Sequence, residues 1–334
     1  MADAELLAGA RVLCTFKGDV VPKSVIARLL AGQAAGVLLF GANLVSQKQA
    51  LANAEEIQAA ATASPTGAPA IIATDQEGGI VHRVPGPPTE SAADMGTRPV
   101  AEIEEQGKAT AENLVAWGIN TDFGPVADVV RPGSFEERQH RSFSSDPRLA
   151  AAAVSAFVNG LHEGGVVATL KHFPGLGAAA ANTDDAAASV AISADDFNAV
   201  DVLPFMAGIA AGADLVMVSS ATYPSLDASP AVFSSILVSG ELRERLGFTG
   251  VVVSDALDTP AVASLGSPAE VAVRAALAGV DLFIVGGAQG CVDIQAALAK
   301  ALVDGELPIE QAQAAEARLH VLRSRLASVP APGP

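Results

Sequence analysis

The chain alternates along its whole length between short apolar runs and longer, alanine-rich stretches that also carry polar residues. Eight of the short runs are rich in β-branched residues and almost continuously apolar, which is typical of parallel strands covered by helices on both faces. The predicted strands span residues 11–16, 36–40, 70–74, 119–123, 166–170, 214–218, 250–254 and 281–285. Between and after them the pattern predicts helices over residues 46–61, 101–117, 149–163, 194–211, 269–278 and 309–326.

Eight strands separated by helices predict an α/β fold, a (β/α)₈ TIM barrel in a single domain. A doubly wound open sheet is the alternative that the same pattern permits. The domain is expected to cover residues 1–328, and the proline-containing end, residues 329–334, is expected to be a disordered tail.

Composition narrows the function classes. The 334 residues include 20 Lys and Arg against 37 Asp and Glu, a net charge of −17, which disfavours nucleic acid and anionic membrane surfaces as partners. No apolar run is long enough to span a membrane. The amino-terminal segment has no basic region before its apolar stretch, so it does not read as a signal peptide. These features predict a cytoplasmic protein, or a secreted one if an export signal has been removed.

The two cysteines, Cys14 and Cys291, are too few for a disulfide framework. Both lie in or beside apolar stretches, so we expect each to be a small buried hydrophobic residue.

Polar residues gather where the predicted strands end, which is where barrel enzymes build their active sites. Helix caps would explain one or two charged residues at such positions, but more are present here. They are Asp75, Asp122, Lys171, His172 and Asp255, with Ser219 and Ser220 after the sixth strand. Residues 84–99, 130–147 and 175–190 form loops long enough to be functional.

Five segments carry a resemblance to glycoside hydrolase family 3. They are residues 74–83 (TDQEGGIVHR), 118–129 (GINTDFGPVADV), 141–147 (RSFSSDP), 171–175 (KHFPG) and 253–257 (VSDAL). All five occur in the order found in the family, and the resemblance runs from about residue 10 to residue 325. Within the family, the chain is similar to the single-domain β-N-acetylhexosaminidases of bacterial cell-wall recycling.

The resemblance implies roles for individual residues. Asp255 corresponds to the catalytic nucleophile, which forms a covalent glycosyl-enzyme, and Lys171 or Arg141 is expected to favour its charged form. The substrate-binding residues implied are Asp75, Arg83, Arg141, Lys171 and His172. Simpler roles remain open: a helix cap for Asp255, and salt bridges from the cations to Asp75 or Asp255. Glu77 and Asp128 are expected to be structural, and Gly78 and Gly79 to permit a tight turn.

The chain departs from the family where hexosaminidases carry an Asp-x-His acid/base pair after their Lys-His-Phe-Pro-Gly-x-Gly segment. An ungapped count puts Asn182 and Asp184 at the two positions, and a shift by one puts Thr183 and Asp185 there. Neither alignment supplies a histidine, so Asp184 or Asp185 is the candidate acid/base. His82 and His140 are the histidines that a long loop could carry to the pocket.

The resemblance implies a retaining exo-β-N-acetylglucosaminidase that acts on cell-wall fragments or small glycosides, with no cofactor and no metal site. The expected partner is a small carbohydrate containing N-acetylglucosamine. The alternatives are a glycan-binding pseudoenzyme, an enzyme with β-glucosidase-like specificity and a phosphate-handling barrel suggested by Gly286 and Gly287. A dinucleotide motif at Gly175 and Gly177 is disfavoured, because no amphipathic helix follows it.

Overall fold

The first strand of the chain pairs with the last, and this pairing closes the parallel sheet into an eight-stranded barrel. The computed structural model describes residues 2–326. The barrel strands are β1 Val12–Cys14, β2 Gly36–Leu38, β3 Ile71–Thr74, β4 Thr121–Asp122, β5 Val167–Phe173, β6 Leu215–Val218, β7 Val251–Ala256 and β8 Leu282–Val285. The (β/α)₈ prediction is confirmed and the open sheet is wrong. The predicted tail, residues 329–334, lies outside the described residues.

Helices surround the barrel. They are α1 Ala2–Gly9, α2 Lys23–Leu30, α3 Gln47–Thr62, α4 Ala92–Met95, α5 Val100–Ala116, α6 Phe135–Arg138, α7 Pro147–Glu163, α8 Ala194–Asp196, α9 Val202–Ala210, α10 Pro260–Ala263, α11 Pro268–Ala278, α12 Gly287–Asp304 and α13 Ile309–Leu326. The predicted helix over residues 194–211 is interrupted by a π-helical turn at Phe197–Asp201. Pro204 lacks the N–H that would continue the regular bonding pattern, which favours a widened turn just before it.

The strands are apolar on both faces because each face packs against a different layer. Leu13, Ile71, Leu215 and Val253 belong to the cluster inside the barrel, whereas their neighbours in sequence pack outward against the helices. Helix α13 contributes Leu319, Leu322 and Leu326 to the inner cluster. Near it, Arg318 forms an ion pair of 2.7 Å with Asp281 at the start of β8. The amino-terminal end of the barrel is therefore covered, and the opposite end is left for a site.

Cys14 and Cys291 are both fully buried, as expected, but they are also joined in a disulfide. This bond was not predicted from the sequence, in which the two residues are 277 positions apart. Closure of the barrel brings them together: Cys14 ends β1, which pairs with β8, and Cys291 lies in the helix that follows β8. The bond therefore connects the first and last strand–helix units.

Replacement of both cysteines by serine is expected to lower the free energy of unfolding by roughly 3–5 kcal/mol, because the crosslink closes a very long loop in the unfolded chain. Denaturant unfolding of the oxidised protein and of the double variant measures the difference. Free thiols in the unreduced, denatured wild-type protein would contradict the bond itself.

Among the described residues, no helix combines the length and the apolar character needed to cross a lipid bilayer.

Candidate active site

The carboxyl ends of the strands surround a cavity of about 360 Å³. Its floor is the top of the barrel interior and consists of the apolar side chains of Leu38, Phe123, Met217 and Ile284. Its walls are polar and include Asp75, Glu77, Arg83, Arg141, Lys171, His172, Asn182, Thr183, Asp184 and Asp255. The structure thus brings together the predicted substrate-binding residues, the predicted nucleophile and one of the two acid/base candidates.

A short hairpin after β3, Gln76–Gly78 paired with Val81–His82, carries Arg83 to the cavity. The side chain of Gln76 accepts hydrogen bonds from the backbone N–H groups of Arg83 and Val84, which fixes the strand after the turn. Gly78 has φ +96°, and a Cβ there would lie 2.1 Å from the carbonyl oxygen of Glu90. The tight turn expected at this glycine is therefore confirmed. The Nε of Arg83 is buried and has no hydrogen-bond acceptor in the described chain.

Four charged residues of alternating sign are linked along one wall. Lys171 Nζ lies 2.6 Å from both Asp75 Oδ1 and Glu77 Oε1, and Glu77 forms a bidentate pair of 2.8 Å with Arg141. The expected salt bridge from Lys171 to Asp75 is present, but Arg141 pairs with Glu77 rather than with Asp75 or Asp255. Glu77 is structural as expected, and it also lies in the cavity wall.

The charges of this wall stabilise one another. Burial opposes ionisation of Glu77, yet Arg141 and Lys171 together hold its pKa well below the usual range. Burial likewise opposes the charge of Lys171, but Asp75 and Glu77 raise its pKa above its usual value. The ligand-free cavity therefore holds fixed cations and carboxylates at neutral pH.

His172 is held by a buried carboxylate. Its Nδ1 donates to Asp128 Oδ2 at 2.8 Å, and Asp128 also accepts hydrogen bonds from the backbone N–H groups of His172 and Leu176. Burial opposes protonation of the ring, but Asp128 and Glu136 outweigh it and raise the pKa of His172 to about 10. The ring is therefore an imidazolium at neutral pH, and its Nε2 is the N–H left for the cavity.

Because the pKa of His172 is raised above its ordinary value of 6.5, its contribution to stability is complete below about pH 6.5 and is lost as pH rises to about 10. His172→Gln is expected to lower the free energy of unfolding by roughly 3–5 kcal/mol near pH 6, since Asp128 loses its partner. Denaturant unfolding from pH 6 to 9.5 should show that the difference in the free energy of unfolding between wild type and His172→Gln becomes smaller as the pH rises. His140→Gln is the matched control at an exposed histidine. A gap that does not change with pH would contradict the assignment.

Asp255, near the end of β7, has both carboxylate oxygens held. Oδ1 accepts from the backbone N–H of Ala256 at 2.8 Å, and Oδ2 accepts from the hydroxyl of Thr183 at 3.4 Å. The helix-cap alternative is wrong, because Thr259 is the residue that precedes helix α10. Burial raises the pKa of Asp255, with a further contribution from Asp184, while His172 and Lys171 oppose the shift. As expected, Lys171 favours the charged form of Asp255. Arg141 is paired with Glu77 instead.

The loop after β5 carries the acid/base candidates. Asn182 begins a turn: its side-chain oxygen accepts from the N–H of Asp184, and its carbonyl accepts from Asp185 and Ala186. Asp184 lines the cavity, but Asp185 is not among the lining residues, so the turn favours the ungapped alignment. His82 and His140 are likewise absent from the lining. The ring of His82 is instead 3.0 Å from the carbonyl oxygen of Gly86.

Other polar residues at the strand ends are part of the framework. Asp122 is fully buried and accepts a hydrogen bond from the backbone of Gln76. Burial, with a smaller contribution from Asp75 and Glu77, raises its pKa well above the usual value, while the N–H of Gln76 and Lys171 oppose the shift. Ser219 and Ser220 are buried below the cavity surface.

One group in the described part of the chain has the residue types of a metal site. Potential ligand atoms of Asp128, Glu136 and His172 lie within 4.8 Å of one another. Glu136 was not predicted from the sequence, because no motif or regular spacing singles it out. The Nδ1 proton of His172 and the guanidinium of Arg141 already supply positive charge beside these carboxylates. These groups therefore favour a His172 ring protonated at Nδ1 over a bound metal ion, and we assign no metal to this site.

Comparison with known proteins identifies the family. The model of the glycosyl hydrolase family 3 N terminal domain matches residues 17–323. An uncharacterised secreted glycosyl hydrolase of Arthroderma benhamiae is 37% identical over 98% of this chain and 95% of its own length. A beta-hexosaminidase of Xylella fastidiosa is 37% identical over 75% of this chain and 76% of its own length.

Solved structures agree. The beta-N-acetylhexosaminidase from Beutenbergia cavernae superposes with a TM-score of 0.88 at 32% identity, over 96% of this chain and 98% of that one. The family 3 beta-N-acetylglucosaminidase from Paenibacillus superposes with a TM-score of 0.92 at 29% identity, over 97% of this chain. This chain covers 62% of that longer protein. The chain belongs to glycoside hydrolase family 3 and is an O-glycosyl hydrolase of the hexosaminidase-like type.

Proposed function

We propose that the chain is a retaining exo-glycosidase that removes a terminal β-linked N-acetylhexosamine, with Asp255 as nucleophile. The observation that carries this proposal is the position of Asp255 in a cavity closed at its floor, facing a wall of fixed cations and carboxylates. A closed floor accepts the end of a glycan and leaves the rest of it outside. Asp75, Arg83, Arg141, Lys171 and His172 would bind the hydroxyl and amide groups of that single sugar.

In the first step an oxygen of Asp255 attacks the anomeric carbon, and the bond to the leaving oxygen breaks. The leaving oxygen takes a proton from the acid residue, which gives a covalent glycosyl-enzyme and a free alcohol. In the second step the same residue, now a carboxylate, removes a proton from water as the water attacks the anomeric carbon. Asp255 is released, and the sugar keeps its β configuration.

We assign the acid/base role to Asp184. Its side chain lines the cavity, and Asn182 contacts it twice, through the turn and through an amide 3.3 Å from Asp184 Oδ2. Asp184 is exposed in the ligand-free protein. A sugar bound between Asp184 and Asp255 would cover it, and removal from water favours the protonated form that a general acid needs.

The sugar preference is inferred from the hexosaminidase relatives, and a β-glucosidase-like preference is the second candidate. Both are tested with p-nitrophenyl β-glycosides of N-acetylglucosamine, N-acetylgalactosamine and glucose. We expect the highest kcat/KM with N-acetylglucosamine. A higher value for glucose would overturn the sugar assignment while leaving the retaining mechanism in place.

A glycan-binding pseudoenzyme is favoured by one observation, namely that the acid/base position holds no histidine. The same assays separate the two functions. Binding of N-acetylglucosamine by calorimetry without hydrolysis of any aryl glycoside would support the pseudoenzyme and overturn the proposed activity.

Cell-wall fragments containing N-acetylglucosamine are the natural substrates that we propose. We also propose an oxidising compartment rather than the cytoplasm that the sequence predicted. The disulfide between Cys14 and Cys291 supports this, since such bonds persist mainly outside reducing compartments. The relative from Arthroderma benhamiae, a secreted glycosyl hydrolase, supports it as well.

A further inference from the structure

The buried carboxyl group of Glu136 lies between two groups of ion-paired residues. One is the wall formed by Asp75, Lys171, Glu77 and Arg141, and the other is the pair of His172 with Asp128. Glu136 Oε1 lies 3.9 Å from Nη1 of Arg141 and 3.5 Å from Nδ1 of His172. With Glu136 included, seven ionisable residues, acidic and basic in turn, are in contact from Asp75 to Asp128.

The local backbone fixes Glu136 in this position. It is fully buried on the single-turn helix α6, whose first turn is capped by the hydroxyl of Ser134. The N–H of Phe135 donates to the carbonyl oxygen of Ala179 in the loop that carries Asp184. The N–H of Arg141 donates to the carbonyl oxygen of Glu136. Both ends of α6 are therefore attached to segments that supply cavity residues.

The carboxyl group of Glu136 faces two donors of the cavity. Burial and the neighbouring Asp128 raise its pKa to about 7, and His172 and Arg141 oppose this shift. Within the described chain, neither of its carboxylate oxygens has a hydrogen-bond partner, and its ion-pair contacts are Arg141 and His172. A buried carboxylate is costly unless cations compensate it, so its position and theirs depend on each other. Glu136 itself is not among the residues that line the cavity.

We infer that Glu136 is a positioning residue of the sugar site, which holds the Nη1 side of Arg141 and the ring of His172 in place without touching the substrate. This inference rests on the proposed function, since it assumes that Arg141 and His172 bind the sugar. If Glu136 only filled space, an uncharged side chain of the same shape would serve equally well.

The test compares Glu136→Gln, which keeps the shape, with Glu136→Asp, which keeps the charge. Glu137→Gln is the matched control at the exposed neighbouring residue. NMR titration of protein labelled with ¹⁵N-histidine measures the pKa of the His172 ring. The signals of this ring are assigned because they are absent in His172→Gln. The charged groups near this ring are Asp128, Glu136 and Asp255, with Lys171 and Arg141 on the cationic side. The second readout is kcat and KM for the aryl N-acetylglucosaminide.

Glu136→Gln is expected to lower the pKa of His172 by about 1 and to reduce kcat/KM about tenfold, mainly through KM. Glu136→Asp keeps a carboxylate but moves it away from the ring, so it should give a pKa of His172 and a kcat/KM between those of wild type and Glu136→Gln. Glu137→Gln should match wild type. An unchanged titration and a kcat/KM within about twofold of wild type in Glu136→Gln would overturn the inference.

If Glu136→Gln does not fold, Glu136→Asp decides the question. Because its shorter side chain moves the charge away from the ring, a pKa of His172 between that of wild type and the ordinary value supports the inference, and an unaltered one overturns it. Failure of the proposed function is distinguishable, since it would appear as absent hydrolysis in wild type while the His172 titration still responds to Glu136.

Discussion

Asp255→Ala is expected to reduce kcat for p-nitrophenyl β-N-acetylglucosaminide on the order of 10⁴-fold, the largest effect of any single substitution in the chain. Aryl glycosides need little help in expelling their leaving group, so with this substrate the loss reports nucleophilic attack. Asp75 and Glu77 are not free to take over, because they are engaged by Lys171 and Arg141. Initial rates of p-nitrophenol release measure the effect.

The matched control is Asp258→Ala, an exposed aspartate three residues further along the same segment, which should leave kcat within about twofold of wild type. A fluorinated glycoside that slows the second step should label wild type by the mass of one sugar, on the peptide containing Asp255. An Asp255→Ala protein that keeps a tenth of the wild-type rate would rule out this residue as nucleophile.

Asp184→Asn is expected to have the second largest effect, and its size should depend on the leaving group. For a disaccharide, whose departing oxygen must be protonated, kcat/KM should fall about 10²–10⁴-fold. For the p-nitrophenyl glycoside the loss should be much smaller in the first step. Azide, a nucleophile that needs no general base, should restore turnover of the aryl substrate and yield a β-glycosyl azide.

Asp185→Asn is the control for this experiment, because it removes the neighbouring carboxylate, which does not line the cavity. It should leave both substrates at wild-type rates. An equal loss on the two substrates in Asp184→Asn, or the leaving-group-dependent loss in Asp185→Asn instead, would contradict the assignment of the acid/base to Asp184.

The barrel was predictable because its signals are local. Each strand is a continuous apolar run, and Ser46 and Asp146 cap helices α3 and α7 with their own side chains. The gathering of Asp75, Lys171, His172 and Asp255 followed from one rule, that parallel strands in a barrel end on the same face.

The conformation of the acid/base loop is not determined by local sequence signals. Two alignments of residues 182–185 each placed a carboxylate at the histidine position, and the ungapped one, with Asp184, was preferred. The turn that begins at Asn182 directs Asp184 into the cavity and leaves Asp185 outside it. The hydrogen bonds within the folded loop therefore favour the ungapped register, which composition alone did not establish.

The sequence by itself determined the barrel, the end of the barrel that holds the site and most of the residues in the cavity wall, because these depend on periodicity and on short motifs. Only the tertiary structure decided the pairing of Arg141 with Glu77, the bond between Cys14 and Cys291 and the place of Glu136. Each of these joins residues from segments far apart in the chain. Their contacts exist because the barrel closes and buries them together, and no pattern within a single segment encodes that proximity.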